Sequence, residues 1–107
     1  MKFENQPPIA CDFNAMNVEQ RNRYNAASQH LRASVKGVRE LPDGYALQLP
    51  TEPSVILMAA EFMTLERLCC PFLTLALEIE SQGGPTWLQL TGREGVKEFL
   101  QAELGLG

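Results

Sequence analysis

Residues 53–79 read PSVILMAAEFMTLERLCCPFLTLALEI, and a change of period inside this stretch decides the fold. Up to Cys69, the residues Val55, Met58, Ala59, Phe62, Leu65 and Cys69 recur at helical spacing, and Pro53 stands where the first turn of a helix tolerates an imide. Pro71 lacks an amide hydrogen and pushes Cys70 out of helical geometry, so a helix over 54–68 must stop near Cys69. Beyond the break, Leu73, Leu75, Leu77 and Ile79 alternate with Thr74, Ala76, Glu78 and Glu80, the period of two of a strand with one wet face. Ile56, Leu57, Met63 and Leu68 put apolar groups on other faces of the helix as well, which predicts that most of it is buried.

Working downstream, Gly83-Gly84-Pro85 turns the chain into a partner strand at Thr86–Leu90. Thr91 and Glu94 have capping-box spacing and predict the start of a closing helix, whose inner face is Val96, Phe99, Leu100 and Leu104. Upstream, Leu41-Pro42-Asp43-Gly44 is the turn of a hairpin over 38–50, with Tyr45, Leu47 and Leu49 alternating against Ala46 and Gln48. Asn17 and Gln20 form another capping box, and a helix from Val18 to about Ser34 follows, with Tyr24, Ala27, Leu31 and Val35 as its narrow apolar stripe. The order αββαββα predicts a two-layer α+β domain, an antiparallel four-stranded sheet with helices on one face, over residues 17–107, with 1–16 as an extended N-terminal arm. Segments 40–49 and 80–90 align with one insertion, but turn glycines and alternating leucines are common to any two hairpins, so chance convergence explains the match. If the uncovered sheet face carries Tyr45 or Trp87 it is a self-association surface, and a homodimer is the expected assembly.

A chain of 107 residues with 45% hydrophobic and 21% charged residues has the balance of one globular domain, and disordered, collagen-like and low-complexity classes are excluded. No apolar stretch reaches the roughly 18 residues of a membrane span. MKFENQPPIAC at the N-terminus lacks the apolar core of a secretory signal, so a cytoplasmic location is expected. The net charge of −4 argues against a general nucleic-acid binder, and the five bases against one acid over residues 17–39 read as a solvated helix surface.

The three cysteines are where chemistry can reside. An odd number without an export signal argues against a disulfide framework, so Cys11, Cys69 and Cys70 are expected to be thiols. Neighbouring Cα atoms stand about 3.8 Å apart, short of the roughly 4.4–6.8 Å of an ordinary disulfide, so a Cys69–Cys70 bond would be strained. The negative end of the helix dipole disfavours a thiolate there and argues against an activated nucleophile. A soft metal ion suits sulfur ligands and supplies the missing positive charge. With the N-terminal arm folded back, Cys11 joins Cys69 and Cys70 in a three-sulfur cluster, with Glu66 and His30 as further donors. A structural zinc site shows short-spaced ligand pairs in two places, and this chain has one. A plainer reading competes throughout. Cys69 and Cys70 serve as small apolar packing residues, Glu66 as a solvated or paired carboxylate, and His30 as a surface residue.

No G-x-G-x-x-G, Walker loop, G-x-S-x-G or H-E-x-x-H is present, and a single histidine argues against a serine-type triad. The segments Glu66-Arg-Leu-Cys-Cys-Pro-Phe-Leu73, Gly83-Gly84-Pro85 and Leu90–Val96, with Ile9-Ala-Cys11 and Arg39–Tyr45, resemble a group of small uncharacterised bacterial proteins with an E-x-x-C-C-P-F signature and no established activity. The resemblance implies Cys11, Glu66, Cys69, Cys70 and Pro71 as the functional positions, and an association of some such proteins with heavy-metal resistance implies a soft metal. Three readings follow. The first is a cytoplasmic domain that binds or senses a soft metal ion or thiol-reactive compound through its cysteines, with Glu66 as a further ligand. The second is a non-catalytic homodimeric interaction domain with structural cysteines. The third is a thiol-dependent enzyme.

Overall fold

The computed structural model describes residues 8–106, so the first seven residues of the expected arm lie outside it. Three helices, α1 (Val18–Ser34), α2 (Pro53–Cys69) and α3 (Val96–Glu103), alternate with two hairpins, β1 (Gly37–Leu41) with β2 (Gly44–Leu49) and β3 (Thr74–Ile79) with β4 (Thr86–Thr91). The strands form one antiparallel sheet in the order β1-β2-β4-β3, so the two hairpins meet through β2 and β4. Tyr45 faces Leu90, Leu47 faces Leu88 and Leu49 faces Thr86 across that seam. These side chains share the face that packs on the helices, and most are buried. This is the α+β architecture the periodicities predict.

The helices begin and end for identifiable reasons. Asn17 and Gln20 form the predicted reciprocal capping box of α1. Pro53 opens α2, whose buried residues Val55, Ala59, Phe62, Leu65, Glu66 and Cys69 trace one stripe. Of the four off-stripe apolar residues, Ile56, Met63 and Leu68 are half-buried, whereas Leu57 is 71% exposed, so the expected burial of most of the helix does not extend to that side. The Thr91–Glu94 capping box does not form. Thr91 is committed to the sheet, opposite both Gly44 and Thr74, and α3 starts at Val96 after Gly95 in the left-handed region at φ 97°. Gly44 is required by close approach, since a Cβ there would overlap the Leu90 carbonyl oxygen.

The face away from the helices is not the aromatic surface on which self-association was expected. Tyr45 lies on the helix side. Trp87 lies on the outer side but is only 7% exposed: its indole donates to Glu80 Oε2 at 2.6 Å, and the Arg39 guanidinium sits 4.0 Å over its ring. The homodimer therefore draws no support from that face. Among the described residues no helix is long and apolar enough to cross a membrane.

Candidate functional site

Pro71 ends α2 as its missing amide demands. Cys70 leaves helical geometry at φ −127°, ψ 67°, with its N–H still donating to Glu66 O at 2.7 Å. A helix end leaves its last carbonyls without intrahelical partners, and here the N-terminal segment supplies one. Asp12 N–H donates to Cys69 O at 2.8 Å, and a 3-10 turn at Phe13–Ala15 then leads to the fully buried Met16. That backbone bond docks the N-terminal segment at the end of α2, and it brings Cys11 to Cys70.

The three sulfurs converge within 4.8 Å of one another. Cys11 and Cys70 stand at disulfide-bonding distance, with Cα atoms 4.8 Å apart, whereas Cys69 is a free, fully buried thiol 3.5 Å from the Cys70 sulfur. The expectation of three free thiols is thus corrected. The neighbouring pair is unbridged, and the partner of Cys70 lies 59 residues away in sequence. Cysteine counting missed this pair because it weighs a framework of bridges, not one cross-link made by a docked arm.

Glu66 and Cys69 are one helical step apart on α2, and the Cys69 thiol donates to Glu66 Oε1 at 3.4 Å. The Tyr24 hydroxyl, from α1, donates to the same oxygen at 2.8 Å. Glu66 is buried among apolar groups, which raises its pKa above the ordinary carboxylate range against the opposing effect of these two hydrogen bonds. Burial, reinforced by the Glu66 charge, pushes the Cys69 thiol up to about 12, so it is no activated nucleophile. Burial and the same carboxylate hold the Tyr24 phenol well above its usual range. Sequence reasoning placed Tyr24 in the core stripe of α1 and missed its role. The signal was present in principle: a buried tyrosine needs a hydrogen-bond partner, and Glu66 stands on an apolar helix face. His30, offered as a further donor, is exposed on α1 and takes no part. Arg67, two residues before Cys69 on α2, is also exposed and lends the thiol no buried positive charge.

A cavity of about 280 Å³ opens beside the cluster. Cys11, Cys70, Glu66 and Tyr24 line one part of it. Leucines of β2 and β4 form the floor, and side chains of α1 and α3 form the flanks. No family model matches the chain, and no significant match joins it to a curated protein or a solved structure.

Proposed function

We propose that the reduced protein captures a soft, thiophilic cation through Cys11, Cys69 and Cys70, with the Cys11–Cys70 disulfide as the alternative, unloaded state. One observation carries this reading: sulfurs from two distant chain segments converge within 4.8 Å. Thiolates bound at about 2.3 Å to one tetrahedral or trigonal ion sit roughly 3.8–4.0 Å apart, so a small opening of the bonded pair fits the cluster to an ion. Soft ions prefer such an all-sulfur set, and an ion would offset the local disadvantage of thiolates at a helix C-terminus. Glu66 stands behind the sulfurs, bonded to the Cys69 thiol, where it accepts that thiol's proton or adds an oxygen ligand. The E-x-x-C-C-P-F resemblance singles out the same residues.

Loading competes with protons and with the disulfide. The test is a thermal melt of the reduced chain with and without arsenite, which condenses with three thiols, alongside Cys11→Ser and Cys69→Ser. A ligand specific for the folded state adds about 2.7 kcal/mol at a hundredfold excess over its dissociation constant, so the wild type should melt higher and both variants should lose most of the gain. No shift in the reduced wild type refutes the reading.

A further inference from the structure

The cavity beside the sulfurs deepens the proposed function, on which the following inference rests. A bare ion needs only the three sulfurs. It makes no use of a cavity of about 280 Å³ whose walls include Leu31, Leu88, Leu90 and Phe99. A cavity of about 150 Å³ already holds benzene. The contact between the two features is direct: Cys11 and Cys70 line the cavity, whereas Cys69 does not. Glu66, only 7% exposed, lines it too, and hydrogen bonds from described residues reach only its Oε1, so Oε2 is left for a polar group on a ligand. Asn25, Arg32 and Glu103 line the cavity and are exposed, which places its mouth between α1 and α3.

We infer that the site takes organic compounds in which a thiophilic atom carries a single apolar group of about one ring, the atom held by Cys11 and Cys70 and the ring lodged in the cavity. For a trivalent organoarsenical the chemistry is a condensation. R–As(OH)2 reacts with two thiols, two As–O bonds break, two As–S bonds form, and each thiol proton leaves with a hydroxyl as water. Arsenic is neither oxidised nor reduced. The disulfide must first be opened by a two-electron reductant. A phosphine serves, taking the oxygen of one water to become a phosphine oxide while its hydrogens yield two thiols.

Methyl- and phenylarsine oxides both use two thiols, so their affinity ratio isolates the organic group. Binding is measured by calorimetry on phosphine-reduced full-length protein, with the same ratio for free dithiothreitol as reference. Burying a phenyl-sized group should raise the phenyl preference over that reference by about ten- to a hundredfold. Ser28 lines the cavity from α1, so Ser28→Phe, which fills it with a ring, should remove the excess and leave methylarsine oxide binding unchanged. Cys69→Ser should keep phenyl binding within about threefold, since its sulfur lies outside the cavity. A wild-type ratio equal to that of dithiothreitol overturns the inference while leaving sulfur capture intact, and this result needs no variant to fold. Failure of both arsenicals to bind overturns capture and cavity together. Loss of phenyl binding in a folded Cys69→Ser protein overturns the assignment to Cys11 and Cys70.

Discussion

Glu66 Oε1 accepts from two donors on two different elements, and that shared oxygen makes the site's polar groups interdependent. Tyr24→Phe removes one donor from a buried carboxyl and should cost about 1–2 kcal/mol in urea unfolding. A double-mutant cycle with Glu66→Gln should show coupling above about 0.5 kcal/mol, since the residues touch. The raised Glu66 pKa has a definite consequence for stability. Its contribution is complete below the ordinary carboxylate pKa of about 4.3, where folded and unfolded chains are both protonated. As pH rises, the unfolded chain releases the proton first, and the contribution declines until the folded carboxyl ionises as well. The melting temperature of the wild type relative to Glu66→Gln should therefore fall as pH rises above about 4.3. A difference that stays level or grows would contradict the burial argument. The same sign holds for Cys69, raised from 9.0 to about 12: its contribution is full below pH 9.0 and is lost as pH climbs towards about 12. Comparison with Cys69→Ser over that window checks it.

At the scale of elements, the hairpins and α2 make contrasting demands on substitution. Gly44 begins β2 opposite Leu41 on one side and Thr91 on the other, so both neighbouring strands close around it. Gly44→Ala drives a methyl into the Leu90 carbonyl and should cost about 1–3 kcal/mol, measured by denaturant unfolding. Leu57→Glu, on the exposed side of α2, should stay within about 0.5 kcal/mol of the wild type by the same measurement. A loss of several kcal/mol there would mean that a partner covers this face in solution. The periods of two and 3.6 were legible in these elements because each has a core-facing side. The start of α3 was not legible from Thr91 and Glu94. Local capping chemistry offered one boundary, and strand pairing to Gly44 and Thr74 overrode it.

For the whole molecule, the Cys11–Cys70 link ties the N-terminal segment to the middle of the chain over 59 residues. Closing a loop of that length stabilises the folded state by about 4 kcal/mol in the chain-entropy picture, and native-state adjustments reduce the figure. Reduction, or Cys11→Ser, should lower the unfolding free energy by up to that amount, seen as a shift of the urea midpoint. A thiophilic ion added to the reduced wild type should restore much of the loss, because it spans the same two segments. The sequence alone determined the order of elements, the break after Cys69 and the neighbouring sulfurs, since each follows from local periodicity or from the missing amide of Pro71. Only the tertiary structure decided which sulfur meets Cys70, that Tyr24 reaches Glu66, and that a cavity opens beside them. Those outcomes depend on where an arm and two helices dock, and docking is set by contacts between residues far apart in the chain, which no local pattern records.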